Sequence, residues 1–254
     1  MATGRTTLRF TRAYVDGYDM SGYTRSFGPL KWTFDEGVDD PISATVKGTS
    51  IGQSVIGMGS LNGLFDNTPT SGIHVVMNGA GGKRNVMLPF GIQAAPANND
   101  PVFAGQFLQK DYVGDPAANP VTATIPFENT HALADNLPYS IPWGVLSHAK
   151  ATRTAANTAT GLDQLAATAK GGWFMYQVFS SDGTATLKIQ DAATNADGSF
   201  ADLLSSGSLD FSNPLSGVVA LAPGSTVRRY IRWQLALGTA TTITFSLAFM
   251  RNYN

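Results

Sequence analysis

The sequence predicts a mainly β protein, an antiparallel β-sandwich or barrel with one or two short helices. Three observations lead to this fold class. Apolar and polar residues alternate along several segments, which is the two-residue period of a strand with one buried face. Asp-Gly and Asn-Gly pairs, which favour tight turns, separate these segments. Helical periodicity is confined to short stretches, and 27 Gly and 13 Pro residues oppose long helices.

Two C-terminal segments carry the clearest alternation. Residues 228–237 (RRYIRWQLAL) and 241–250 (TTITFSLAFM) predict an antiparallel hairpin with one buried face, joined by a turn at Gly238-Thr-Ala. The opposite face carries Arg232, Gln234 and a row of Thr and Ser residues. The predicted core side chains of this hairpin are Ile231, Trp233, Leu235, Leu237, Ile243, Phe245, Leu247 and Phe249.

The remaining elements follow from weaker patterns. Residues 173–179 form an apolar run suited to a strand buried on both faces, and residues 184–190 alternate with Ala185, Leu187 and Ile189 inward. Further strands are predicted at 6–15, 73–77, 85–90, 102–109 and 121–127. Short helices are predicted at 161–170, closed by Gly171-Gly172, and at 129–136.

The chain is predicted to form a single β domain, 1–254. A low-complexity segment at 149–160 is either a linker or a loop ordered by a neighbouring subunit. It leaves a possible seam at about 149–172, after which 173–254 would be a C-terminal β module.

Composition excludes several classes of protein. The 17 basic and 18 acidic residues give a formal net charge of −1, and charged residues make up 14% of the chain against roughly 25% on average. This opposes a disordered chain, a coiled coil and a basic nucleic-acid-binding domain. The polar start MATGRTTLRF predicts no secretory signal, and no apolar run approaches the roughly 18 residues of a membrane span. Near-zero charge favours association.

No motif in the sequence predicts catalysis, a metal or a cofactor. Gly48-Thr-Ser50-Ile-Gly52 matches the nucleophile elbow of hydrolases, but the residues that follow form a poor helix, so we expect no enzyme. There is no Cys, which excludes disulfides and thiol chemistry. His74, His131 and His148 lack the spacing of metal ligands.

Charged clusters are the remaining candidates for function. The acidic cluster is a solvated loop, the partner of a basic loop or a surface that repels phosphate; it contains Asp35, Glu36, Asp39 and Asp40. The basic residues are candidates for contacts between subunits; they are Lys83 and Arg84 near a glycine-rich loop, and Arg228, Arg229 and Arg232 in the last third.

Several sequence segments, in their order along the chain, resemble those of the major tail (tail tube) proteins of long-tailed double-stranded DNA bacteriophages; these segments are called phrases below. The most specific phrases are VDGYDMSGYTRSFG at 15–28, STVRRYIRWQL at 225–235 and ITFSLAFMRN at 243–252. Between them lie GMGSLNGLFDN at 57–67, NPVTATIPFE at 119–128 and the long segment 171–203. The resemblance touches most of the chain and rests on structural phrases, not catalytic ones.

The resemblance implies a β fold of tail-tube type and a subunit of stacked rings, typically hexameric, that form a tube. Genomic DNA crosses the lumen at ejection, and arms or loops bridge to the next ring. The implied partners are other copies of the chain, other tail proteins at the tube ends and, transiently and non-specifically, double-stranded DNA; no membrane is involved. The implied location is the virion tail, after the host cytoplasm.

Elementary electrostatics adds an expectation about the lumen. Duplex DNA carries one negative charge per about 1.7 Å, and each Lys or Arg contact tightens binding. A conduit that must release DNA is therefore expected to have a neutral or acidic lining, with the arginines at subunit contacts or outside.

Two alternatives remain open. The β pattern also suits another virion structural protein, such as a capsid decoration, head-fibre or baseplate subunit. The aromatic content and the last third of the chain also suit a carbohydrate-binding β-sandwich module.

Overall fold

A computed structural model describes residues 6–38, 49–128 and 141–252, and within them the fold is mainly β and antiparallel. The first half contains β1 (Tyr14–Val15), β2 (Tyr18–Asp19), β3 (Thr24–Phe27), β4 (Leu30–Val38), β5 (Thr49–Met58), β6 (Ser60–Leu64), α1 (Ile73–Met77), β7 (Lys83–Pro89), β8 (Pro101–Gln109), β9 (Val113–Asp115) and β10 (Thr122–Glu128). A single turn of 3₁₀-helix at Leu8–Phe10 precedes them.

The second half contains the remaining strands. They are β11 (Trp143–Arg153), β12 (Asn157–Thr158), β13 (Leu162–Asp163), β14 (Gly172–Ser181), β15 (Thr184–Ala192), β16 (Ala201–Ser205), β17 (Leu209–Asp210), β18 (Leu215–Ala220), β19 (Tyr230–Leu237) and β20 (Ile243–Arg251). A 3₁₀ turn at Asp197–Ser199 lies between β15 and β16.

The described strands form three sheets. The main sheet has twelve strands and runs β18-β14-β20-β11-β8-β10-β6-β3, with β1, β2, β7 and β9 attached beside this path. A second sheet of six strands runs β12-β19-β15-β16, with β13 and β17 attached. Strands β4 and β5 pair only with each other and form a separate two-stranded ribbon. Strands from the last third of the chain, β14 and β20, thus belong to the same sheet as N-terminal strands.

Two hydrophobic cores lie on opposite faces of β14 and β20. One face of β14 contributes Phe174 and Val178 to the core shared with the second sheet, and the other contributes Trp173 and Met175 to the core enclosed by the main sheet. Strand β20 likewise contributes side chains to both cores, one core on each face. The prediction of a strand at 173–179 buried on both faces is therefore confirmed.

The eight residues predicted as the core of a C-terminal hairpin lie together in the core between the sheets. The side chains of seven are at most 3% exposed, and Leu237 is half-buried. The prediction that the two segments pair as a hairpin is wrong. Strand β19 pairs with β15, whereas β20 pairs with β11 and β14, so the two strands face each other across the core from different sheets.

The connection between β19 and β20 explains this difference. Its backbone bonds to the neighbouring connection between β14 and β15 instead of closing a tight turn. The N–H groups of Gly238 and Ala240 donate to the carbonyl of Thr184 at 2.9 and 3.1 Å, and the N–H of Thr242 donates to Asp182 Oδ1 at 2.9 Å. Both connections cross from one sheet to the other at the same corner. Strand β20 is consequently buried on both faces, with Ser246 fully buried.

The other predicted elements agree with the structure in part. Strands at 85–90, 102–109, 121–127 and 184–190 are confirmed as β7, β8, β10 and β15. Segment 6–15 is mostly not a strand, and 73–77 is the helix α1, in which Ile73 and Met77 are buried one turn apart. The low-complexity segment 149–160 is largely in β11 and β12. The helix predicted at 129–136 lies outside the described residues.

The helix predicted at 161–170 is wrong. Residues 162–163 form the short strand β13, paired with β19. The Asp163 carboxylate accepts a hydrogen bond from the N–H of Leu165 at 2.8 Å, and Leu165 has a φ of 69°. A side chain that bonds the backbone two residues on stabilises a turn in competition with a helix.

The turn between β1 and β2 anchors the N-terminus to the last third of the chain. Asp16 and Gly17 both have positive φ, as a tight hairpin turn requires. The N–H of Gly17 donates to Gln177 Oε1 at 2.6 Å, and a Cβ at Gly17 would lie 2.5 Å from the backbone N of Leu215. Only glycine fits this close approach, which explains part of the VDGYD phrase.

Candidate functional site

The β4–β5 ribbon is the first candidate for an assembly surface. Its strands pair in register from Leu30 opposite Met58 to Val38 opposite Thr49, with one irregularity after Phe34. No other described strand bonds to either edge of the ribbon. At about 3.3 Å per residue, strands of this length span roughly 30 Å. A two-stranded ribbon is marginally stable by itself in water.

One face of the ribbon is apolar and continues past the core. Residues directly opposite in an antiparallel pair share a face, so Leu30, Trp32 and Phe34 lie on the same face as Ile56 and Met58. Ile56 and Met58 are buried in the main core, and Leu30 and Trp32 pack against it. The Phe34 ring contacts Trp32 at 5.6 Å between centroids but is 43% exposed. The apolar face therefore extends beyond what the described residues cover.

Two residues of the predicted acidic cluster lie in the outer half of this ribbon. Asp35 and Glu36 are in β4, and Asp39 and Asp40 lie outside the described residues. Their role in a lumen or an acidic loop stays a prediction. The sequence predicted a loop at Asp35 and Glu36, but both residues belong to β4, which continues to Val38.

The ends of the main sheet are a second candidate for assembly. Strand β3 pairs on one side with β6, and β18 pairs on one side with β14. Their outer edges have no strand partner among the described residues. An open edge presents unpaired N–H and C=O groups to any strand that approaches.

The basic residue Arg84, predicted as a subunit contact, is bonded within the chain. Arg84 Nη1 lies 3.1 Å from Asp16 Oδ2, and its Nε donates to Gln109 Oε1 at 2.9 Å. Lys83 is exposed at the start of β7, opposite Leu108. A contact role for either residue stays a prediction.

The three C-terminal arginines differ from one another. Arg229 forms a two-bond pair with Asp163, at 2.6 and 2.8 Å, which lowers the pKa of Asp163 to about 2. The Arg228 guanidinium lies 3.9 Å from the Asp191 carboxylate, and both Arg228 and Arg229 are half exposed. Their role between subunits stays a prediction. Arg232 is buried instead of exterior, because Asp197 and Gln190 both accept its hydrogen bonds at 2.8 Å.

The site that sequence reasoning missed surrounds His148. His148 is 1% exposed, stacks on Phe245 and meets Trp233 edge-on at 4.4 Å. Arg153 Nε donates to His148 Nε2 at 3.1 Å, so the ring is neutral and its Nδ1–H points to the Phe245 carbonyl at 3.3 Å. Burial, with a smaller effect of Arg153, lowers the pKa of His148 to about 4.

A cavity of about 440 Å³ adjoins this cluster. Loop residues Asn98 and Asn99, strand β11, segment 157–162 and strand β19 line it. Two lining residues have buried polar atoms that bond to nothing in the part of the chain that the structure describes, Ser147 Oγ and Trp233 Nε1. An unpaired buried polar group costs about 1–3 kcal/mol, so two in one cavity call for an explanation. Little in the sequence indicates this cavity. Ser147 and Arg153 lie near His148, whose spacing from the other histidines is not that of metal ligands.

We expect the neutral His148 to make the fold sensitive to acid. The pKa of His148 lies near 4 in the folded protein, whereas its ordinary value is 6.5. The stability that the neutral ring contributes to the fold is therefore complete above pH 6.5 and is lost as the pH falls towards 4. The loss amounts to about 3 kcal/mol. Urea unfolding of wild type and His148→Gln between pH 7 and 4 tests this, since Gln can still accept from Arg153 and donate to Phe245. The variant should lose free energy of unfolding less steeply.

The control for this measurement is His74→Gln. His74 is half-buried and contacts Tyr112, away from the cavity. Because His74→Gln leaves the His148 cluster unchanged, it should keep the loss of stability that protonation of His148 causes. Equal slopes for wild type and His148→Gln would show that His148 does not titrate as the structure implies.

Ser50 lies within strand β5, where the strand-to-helix turn of a nucleophile elbow is not formed. In 6–38, 49–128 and 141–252 there is no group of three His, Asp or Glu placed to hold a metal ion. No helix in the same ranges is long and apolar enough to cross a bilayer.

Solved structures that resemble this chain include two weak neighbours. No protein-family model and no curated protein matches the chain. The Dit protein (gp 19.1) of phage SPP1, described as a hub of the adsorption apparatus in phages that infect Gram-positive bacteria, is 10% identical at a TM-score of 0.32; the match covers 94% of this chain and 98% of Dit. A structure of infectious bursal disease virus, Gx strain, is 9% identical at a TM-score of 0.23, with 95% and 68% covered.

Proposed function

We propose that the protein is a virion structural subunit of a tailed bacteriophage that assembles with copies of itself into the stacked rings of a tail tube. The observation that carries this proposal is the β4–β5 ribbon, which has no strand partner in the described chain and extends an apolar face beyond the core. A neighbouring copy is the occupant that would bury Phe34 and support the ribbon. The tail-tube phrases of the sequence support the same reading.

Ring closure is the second part of the proposal. Strands β3 and β18 end the main sheet, and edge pairing between adjacent copies would satisfy their outer backbone groups. A closed ring of sheets removes free edges, as a barrel does within one chain. The ribbon would then reach the next ring, as the arm that the resemblance implies.

Charge supports a passage that does not retain DNA. Many basic side chains are neutralised within the chain, including Arg84 by Asp16, Lys150 by Asp19 and Arg229 by Asp163. Such pairing lowers the number of cations that could hold phosphates. The acidic residues on the ribbon add negative charge where copies would meet the lumen or the next ring.

We expect the purified full-length chain to assemble as its concentration rises. Negative-stain electron microscopy should show hollow tubes of stacked rings, and sedimentation velocity should show loss of the monomer peak. Discrete trimers or single rings would favour a capsid decoration, head-fibre or baseplate subunit. A monomer at every concentration, and in the particle that contains it, would refute the proposal.

A further inference from the structure

We propose that the cavity between β11 and β19 binds an acidic monosaccharide, whose carboxylate pairs with Arg153. The site lies on the opposite side of β20 from the main core and uses no residue of the ribbon. It is therefore independent of the assembly proposal, and either can fail without the other.

The charge of the cavity calls for an anion. Its lining contains two arginines and no acidic residue. Arg232 is already bonded to Asp197 and Gln190. Arg153 is different: its Nε donates to His148, its guanidinium lies over the Trp233 ring at 5.4 Å, and no carboxylate among the described residues pairs with it. A half-buried guanidinium without a counter-ion favours a carboxylate, which it can bind through two parallel bonds.

The two unpaired polar atoms require more than a simple anion. The Trp233 indole N–H can only donate, and the Ser147 hydroxyl can donate or accept. Both residues are more than nine-tenths buried, and neither polar atom has a partner among the described residues. Both atoms are enclosed in this structure, so the missing partners can reach them only when the side chains around the cavity shift slightly. A ligand with several oxygen atoms around its carboxylate supplies them.

Amide side chains at the cavity provide for hydroxyl groups. Asn98 Oδ1 accepts from the N–H of Ala149 at 2.8 Å, which leaves the Asn98 amide N–H groups for a ligand. The side chains of Asn99 and Asn157 form no hydrogen bond with the described residues. The cavity volume is in the range of small-molecule sites. Thr158 and Thr160, which are exposed, mark its opening.

The backbone around the cavity is irregular, as at many binding sites. Strand β11 shifts register against β20 between Leu146 and His148, and again between His148 and Ala151. Bulges redirect side chains and are frequent next to functional sites. Asn99 has a φ of 77°, which is uncommon for a residue other than glycine. The bulged strand places Ser147 and Arg153 on the same cavity.

Titration of the full-length protein with a small panel of sugars tests the proposal. The acidic probes are glucuronate, galacturonate and N-acetylneuraminate; the matched neutral probes are glucose, galactose and N-acetylglucosamine, with inorganic phosphate as a plain anion. We expect calorimetric binding of at least one acidic sugar, much weaker binding of its neutral counterpart and of phosphate, and a shift of the Trp233 indole ¹⁵N–H signal. Trp233→Phe assigns that signal.

Variants localise the binding. Arg153→Met should raise the dissociation constant about tenfold or more, because it removes a charge-assisted pair. Arg153→Lys should restore part of the affinity, and Ser147→Ala, which changes little else, should weaken binding severalfold. Lys110→Met, which removes an exposed cation paired with Glu128 elsewhere, should bind as wild type does.

Three results would overturn the proposal. No binding by any acidic sugar would mean that water alone fills the cavity. Phosphate binding as tightly as the acidic sugars would show that the cavity binds anions without recognising a sugar. Binding that is insensitive to both Arg153→Met and Ser147→Ala would place the ligand elsewhere.

Discussion

Shortening the β4–β5 ribbon should abolish tube formation and leave the protein folded. In the proposed variant, residues 35–53 are replaced by Asn-Gly. Phe34 and Ser54 are directly paired, so a two-residue turn can join them without altering the strands below. Leu30, Trp32, Ile56 and Met58, which contact the core, are all retained.

The expected stability follows from what is removed. The last ribbon pair in contact with the core, Trp32 opposite Ile56, is kept, so we expect the shortened protein to unfold cooperatively with a free energy of unfolding close to that of wild type. Assembly should be lost because the proposed bridge to the neighbouring copy is gone. Circular dichroism with urea titration measures the first quantity, and sedimentation velocity with electron microscopy measures the second.

A pair of point variants separates a specific contact from general hydrophobicity. Phe34→Ser removes the exposed aromatic ring on the ribbon and should weaken assembly. Leu165→Ser removes a more exposed apolar side chain, 82% accessible, in the connection after β13 and should not. Normal tubes from the shortened variant would refute the role of the ribbon; equal effects of the two point variants would point to non-specific association.

The alternation of the sequence predicted where strands lie and which faces are buried, but not which strands pair. In 228–250 the apolar period of two predicted the inward face correctly from Ile231 to Phe249. A hairpin and a pair of strands facing each other from two sheets give the same alternation. What distinguishes them is the connection at 238–242, which bonds to Asp182 and Thr184, residues more than fifty positions away. A local pattern carries no information about such a contact.

The second failure has a similar cause. Residues 161–170 have a composition suited to a helix, and neither Gly nor Pro occurs from Leu162 to Lys170. In the fold, Asp163 bonds both to Arg229 and to the Leu165 N–H, and Leu162 pairs with Ile231. Tertiary partners thus override a weak local preference.

The cavity could not be predicted because its parts come from four separate regions of the chain. Arg153 stands in the low-complexity segment 149–160, Ser147 stands in no predicted element, and Trp233 stands in a predicted strand. They meet at one surface because β11 and β19, which belong to different sheets, pack against each other, and a local pattern carries no sign of that contact. The unpaired Trp233 N–H, the strongest sign of the site, is a property of the packed structure alone.

Placing a carboxylate in the core between the two sheets should prevent folding. Phe245 is fully buried, stacks on His148 at 4.2 Å and meets Trp233 edge-on at 5.7 Å. Phe245→Asp leaves a charge there without a partner, since His148 is neutral and already bonded on both nitrogens. A buried unpaired charge costs about 3–5 kcal/mol, and removal of the ring costs a similar amount. The sum approaches the whole stability of a typical domain.

Two further variants keep this prediction falsifiable. Phe245→Leu removes part of the ring volume without adding charge and should fold with a lower melting temperature. Ala236→Asp places the same carboxylate on an exposed position of β19 and should fold as wild type does. Soluble yield, near-ultraviolet circular dichroism and thermal melting distinguish the three. Because β19 and β20 belong to different sheets, loss of packing at Phe245 should uncouple the second sheet from the main sheet. A Phe245→Asp protein that is soluble and melts cooperatively near the wild-type temperature would contradict the packing of β20 against β19.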